Sequence, residues 1–167
     1  RLKKNIDSND LPQVNLQNLA ASNITGTAQI VLDSSSTAHH ISYEGDDLKS
    51  IANKQTIKTI KLDEFAENHA LDHIDLIKID AEKSEDLVLS GASDLMKSGR
   101  MKNVICEIHS TNKAGKCGGD KIRQMFYVCG YKSYVLNPRL ARQPYLSELE
   151  PESPVTGLQN LLFKQSD

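Results

Sequence analysis

Two pairs of residues carry the strongest chemical signal. Asp80 and Glu82 follow the apolar run 74–79, and Glu107 and His109 stand two apart at the end of the run 103–108. Alternate residues of an extended chain point to one side, so each pair shares a face. Adjacent parallel strands would bring all four side chains to one rim. In open α/β sheets, ligands bind beyond the carboxyl ends of the strands. Carboxylates beside an imidazole can bind a cation, hold ribose or ammonium groups, or move a proton. A third polar strand end, Asn18 with Ala20, Ala21 and Ser22, follows the alternating residues Val14 and Leu16. Structural explanations compete. An acid after a strand commonly caps the next helix, which would account for Glu82. Glu107 is harder to explain that way, because a carboxylate in an apolar strand needs a partner. Lys78, inside the first run, suits a pairing with an acid such as Asp80.

The elements that must position these groups follow from hydrophobic period. Residues 56–61 alternate apolar and polar, the mark of a half-exposed strand. Leu62, Phe65, Ala66, His69 and Ala70 then fall at helical spacing. The run 74–80 suits a parallel strand buried on both faces. Ser84 can cap a helix reaching Ser98 and stopping at Gly99. The run 103–108 is a strand, and Asp120 caps a helix with Ile122, Met125, Phe126 and Cys129 inward. Residues 131–136 form a strand, 137–157 a proline-rich loop, and 158–164 a last strand. Before these, 2–11 read as a helix ended by Pro12, and 14–19, 27–32 and 40–43 as short strands. Alternating strands and helices imply an α/β fold with a mostly parallel sheet and right-handed crossovers. The final two strands lack a helix between them and are expected to pair antiparallel at one edge.

Composition narrows the function classes. The chain has 167 residues, 38% of them hydrophobic, and 20 Lys+Arg against 22 Asp+Glu give a net charge of −2. A polyanion binder usually carries a basic excess, so no nucleic-acid partner is expected. No apolar run approaches the ~18–20 residues of a transmembrane segment. There is no G-x-x-x-x-G-K, G-x-G-x-x-G or G-x-S-x-G motif, so kinase and hydrolase chemistry lack support. Cys106, His109 and Cys117 offer three ligands for a metal, but structural zinc sites use tight Cys-x₂₋₄-Cys pairs, and no metal is expected. Three cysteines without a framework fit a reducing compartment, with the cytoplasm as default. A phosphoacceptor receiver would need an acidic pair after its first strand and a later lysine, and neither stands in the right place.

The segment KLDEF at 61–65, followed by IDLIKIDAEKSEDLVLSGA at 74–92, resembles the signature of FkbM-type methyltransferases, TLD followed by iDllKiDvEGaE..vL.Ga. LKKNIDSNDLPQVNLQNLAAS at 2–22 resembles the helix and strand that precede it in that family. NVICEIH at 103–109 and GY at 130–131 fall in family order. Lys61 replaces the family's threonine and Lys83 its glycine. The resemblance implies a Rossmann-like class I domain over 1–167 that uses S-adenosylmethionine to methylate an oxygen, with a small-molecule or glycan hydroxyl as acceptor. It implies Asp80 near the cofactor's methionine part or the substrate, and Asn18, Ala20, Ala21 and Ser22 along the adenine side. Glu82, Glu107 and His109 would face the substrate, with His109 the general base. The family's glycine-rich cofactor loop and ribose-binding acid lie upstream of the segment matching 2–22. The chain is therefore expected to be the carboxyl-side part of a larger domain, its sheet incomplete at the N-terminus by about 50 residues, the size of a βαβ unit with room to spare. The same departures suit an alternative, a truncated or degenerate domain with a binding or scaffold role.

Overall fold

Strand-forming alternation in this chain produces two sheets. The structure, a computed structural model, describes residues 1–31, 40–41, 54–82, 84–109, 119–136, 145–155 and 157–166. Tyr43, Lys83, Cys117 and the first part of the expected proline-rich loop, 137–144, lie outside these. The N-terminal part holds α1 (Leu2–Ser8), β1 (Ala20–Ala21), β2 (Gly26–Val31), β3 (His40–Ile41) and β4 (Lys54–Ile60). Then come α2 (Leu62–Asn68), β5 (Ile77–Ile79), α3 (Glu85–Ser90), α4 (Ser93–Lys97) and β6 (Asn103–His109). The chain continues with α5 (Gly119–Tyr127), β7 (Tyr131–Leu136), β8 (Leu146–Leu149) and β9 (Leu158–Gln165).

The first sheet has the order β1-β4-β2-β3 and the second β5-β6-β9-β7-β8. The expectation of a mostly parallel sheet is corrected. Between named strands, β1 runs parallel to β4 and β5 to β6, while every other pair is antiparallel. The cause is connectivity. Parallel pairing needs a crossover, usually a helix, and none separates β7, β8 and β9 among the described residues. β7 and β9 do pair antiparallel, but β9 lies inside the sheet, between β6 and β7, and β8 forms the edge. The expected loop 137–157 therefore contains a strand.

The second sheet carries the core. Val104, Cys106 and Ile108 on β6 alternate inward and meet Leu161 and Phe163 of β9. Phe126 of α5 stacks on Phe163 with ring centroids 3.8 Å apart and meets Tyr131 edge-on. β5 departs from expectation. It is a three-residue strand at the sheet edge, with Ile79 buried and Leu76 exposed, rather than a strand covered on both faces. Residues 14–19 form no strand.

The helix expected over 84–98 breaks at Gly91–Ala92 into α3 and α4. Both flanks explain the break. Gly91 lies against Ser22, just after β1, and its carbonyl accepts the Asp63 N–H at 2.9 Å. The Asp63 carboxylate in turn accepts the N–H groups of Asp94 and Leu95 at 3.1 and 2.9 Å. A carboxylate from α2 thus does for α4 what an N-cap side chain does in sequence-local capping, satisfying orphan donors at a positive helix end. Asp63→Ala is expected to cost about 1 kcal/mol, with Asp63→Asn intermediate. Urea denaturation checks this, and equal midpoints for wild type and Asp63→Ala would refute it.

Candidate functional site

β1 and β5 lie at the edges of their sheets, and an apolar cavity of about 420 Å³ separates them. Ala20 and Ala21 of β1, Ile30, Ile57 and Leu62 form one wall. Ile77, Lys78 and Ile79 of β5 form the other, closed by Val88 of α3 and by Ser84 just before it. Asp80, Ala81 and Glu82 occupy the rim where β5 turns into α3. The two sides of the cavity are held in place by the Gly91–Ser22 contact and the Asp63 bonds described above.

The rim is charged and locally constrained. Lys78 Nζ and Asp80 Oδ2 are 3.0 Å apart, both about half exposed, a pairing of the kind that contributes little stability in water. Glu82 has φ +47°, the left-handed region that non-glycine residues enter at a cost. The turn closes behind it, with the Ser84 N–H donating to the Ala81 carbonyl at 3.1 Å. The Ala81 N–H donates to Glu85 Oε1, also at 3.1 Å. Glu85 itself is buried, with 1% exposure. Beneath the rim, burial pushes the Cys106 thiol well above its ordinary pKa, the nearby Glu85 carboxylate adding to the effect. Lys78 opposes the shift, and Glu107 and Asp80 reinforce it. The thiol is held protonated, and the thiolate is the nucleophilic form, so Cys106 is a packing residue here. Lys78, Asp80, Glu85 and Glu107, from β5, β6 and the start of α3, therefore all lie close enough to Cys106 to act on it.

The expected site residues fall in different places. Asp80, Glu82, Ala20 and Ala21 line the cavity. Asn18 lies in an adjoining polar groove of about 610 Å³ with Gln17, Gln55, Thr56 and Lys58, which shares Ala20 and Ile57 with the cavity. Ser22 is buried behind β1, its N–H donating to the Ile60 carbonyl, and does not line the cavity. Glu107 is half-buried on β6, whose register sets Cys106 beside Ile79 and so carries Glu107 to the level of Asp80. His109 ends β6, in register with Leu158. Glu85 falls on the last acid of the resembled signature but is not among the expected site residues, and the wall residues Ile30 and Ile57 carry no signal in local spacing. Glu85 follows a serine at a helix start, where acids are common for dipole reasons alone, and Ile30 and Ile57 reach the cavity only through the pairing of β2 with β4.

The family model described as methyltransferase FkbM domain matches residues 2–133. No curated protein and no solved structure matches the chain.

Proposed function

The chain belongs to the methyltransferase FkbM domain family, and from that membership we propose that its inter-sheet cavity binds S-adenosylmethionine for methyl transfer to a hydroxyl oxygen of a small molecule or glycan. The observation that carries the reading is the placement of Asp80 and Glu82, from the family's central motif, on the rim of an apolar cavity whose far wall is Ala20 and Ala21.

The residues suit the cofactor. Small-molecule sites commonly occupy about 300–1,000 Å³ of mainly apolar surface with a few placed polar groups, and this cavity has both features. The apolar walls offer flat contact to an adenine, with Ala20 and Ala21 along that side, Asn18 in the adjoining groove, and Ser22 supporting them from behind β1. The carboxylates suit a ligand that carries an ammonium and a sulfonium. When bound, the cofactor supplies an electrophilic methyl group. The protein's part is to align the acceptor oxygen with it and to remove one proton. In this reading Asp80 holds the amino-acid end of the cofactor, Glu82 and Glu107 orient the acceptor, and His109 takes the hydroxyl proton.

Calorimetric titration with S-adenosylmethionine tests the reading. Wild type is expected to bind, and Asp80→Ala to weaken binding about tenfold, or roughly 1.4 kcal/mol. Absence of heat and of competition by S-adenosylhomocysteine in wild type would overturn it in favour of the binding or scaffold role. Incubation with hydroxyl-bearing acceptors and detection of methylated product then tests the acceptor class.

A further inference from the structure

Glu85 stands at the start of α3, where a carboxylate at the surface would already gain from the helix dipole. Burying it instead exacts a desolvation cost that only hydrogen bonding offsets. The buried carboxylate reaches back past the helix start to accept the Ala81 N–H at 3.1 Å. On the other side of the same residue, the Ala81 carbonyl accepts the Ser84 N–H. Ala81 is thus tied at both of its peptide groups. Its neighbours are the two rim acids, Asp80 and Glu82, and Glu82 is the one with left-handed φ. Such a conformation persists only where its surroundings over-determine it. Asp80 gains little fixation from its half-exposed pair with Lys78.

We propose that Glu85 is the positioning residue of the cavity rim, its carboxylate fixing Ala81 so that Asp80 and Glu82 are aimed together at the ligand. The inference rests on the cavity binding S-adenosylmethionine. What matters in it is the reach of an acceptor oxygen, and a negative charge at that place is secondary. Glutamine keeps the reach without the charge, and aspartate keeps the charge without the reach.

The experiment compares Glu85→Gln, Glu85→Asp and Glu85→Ala with wild type by amide hydrogen exchange without ligand, by thermal midpoint, and by titration with S-adenosylmethionine. Glu85→Asp and Glu85→Ala are expected to speed Ala81 exchange at least about tenfold, as loss of a local bond does. The same two variants are expected to raise the cofactor dissociation constant about tenfold at temperatures where they are folded. Glu85→Gln is expected to recover both. A purely structural role would lower the midpoint and leave the affinity of the folded protein unchanged, and that result overturns the proposal. So does aspartate rescuing where glutamine fails. If Glu85→Ala does not fold, the aspartate–glutamine contrast decides. If wild type does not bind the cofactor, the cavity reading fails, and Ala81 exchange alone decides whether Glu85 holds the rim: equal protection in all variants overturns it.

Discussion

Gly91→Ala is expected to destabilise the protein by about 3 kcal/mol, the upper part of the range for overpacking a tight contact. Two effects oppose each other at this position. Gly91 has φ −83° and ψ 0°, a conformation alanine adopts freely, so restricting the unfolded chain would by itself stabilise by about 0.4–1 kcal/mol. Against that, a Cβ built here stands 2.0 Å from the Ser22 carbonyl oxygen, 2.9 Å from its carbon and 3.3 Å from Lys61 Cα. All three are backbone atoms, so no side-chain rotation relieves the overlap. The steric effect wins. For a chain of this size the thermal midpoint is expected to fall by about 6–12 °C, at roughly 2–4 °C per kcal/mol. Relief requires α3 to separate from Ser22, and Ser22 directly follows the Ala20–Ala21 wall of the cavity. Affinity for S-adenosylmethionine should therefore fall together with stability. A midpoint within 2 °C of wild type, on the order of a 1 kcal/mol change or less, would show that the two segments do not abut as described.

The same glycine shows where sequence patterns stop being informative. The motif that ends in Gly91-Ala92 is visible by resemblance, and so is a helix after Ser84. The break between α3 and α4 is not visible, because its causes are the Ser22 carbonyl and the Asp63 carboxylate, both remote in sequence. β4, whose apolar and polar residues alternate, and the apolar runs that become β6 and β9 appear at close to their full lengths, since both patterns are local properties. β5 does not. Whether an apolar run is a long internal strand or a short edge strand depends on what pairs with its far side, and that is a tertiary fact. The site divides in the same way. Asp80 and Glu82 do share one rim, but through the turn that follows Ile79 and not through a continued strand. Glu85 matches the last acid of the resembled signature, yet its spacing reads as an ordinary first-turn acid, and only the folded turn shows its oxygen on the Ala81 N–H. Sheet direction was the largest departure. Helix–strand alternation signals parallel pairing only where each helix returns the chain across the sheet, and the stretch beyond β7 has no such helix among the described residues.

Arg123→Ala should be the second severe substitution, costing about 3 kcal/mol, from hydrogen bonds to a charged group at roughly 1.5–3 kcal/mol each less what water restores. A helical wheel places Arg123 beside the apolar stripe of Ile122, Met125 and Phe126, where a solvated charge would be ordinary. Its side chain is nonetheless 2% exposed. Nη2 donates to the carbonyls of Glu150 and Pro151 at 2.6 and 3.0 Å and to Tyr127 Oη at 3.0 Å, while Nη1 donates to the Ser153 carbonyl. Tyr127 Oη in turn shares a hydrogen with Ser133 Oγ at 2.6 Å, and Ser133 Oγ donates to the Leu149 carbonyl. One planar cation therefore ties α5 to β7, to the end of β8, and to the turn that leads Val155 into the core. The exposed Asp120, 3.7 Å away, contributes little. Five fixed donors in one plane explain why arginine serves here. Lysine has a single compact ammonium, so Arg123→Lys is expected to lose about 2 kcal/mol and to leave carbonyls for water to fill. Hydrogen exchange over 146–155 should rise in both variants, more in Arg123→Ala. No residue of this network lines the inter-sheet cavity. Below their melting range, both variants should bind S-adenosylmethionine as wild type does, which separates them from Gly91→Ala. An Arg123→Ala protein as stable as wild type would mean that the turn at 150–153 holds itself. A weakened ligand affinity in the folded variant would mean that α5 communicates with the cavity, most directly through the 2.9 Å pair of Lys121 with Asp86 on α3.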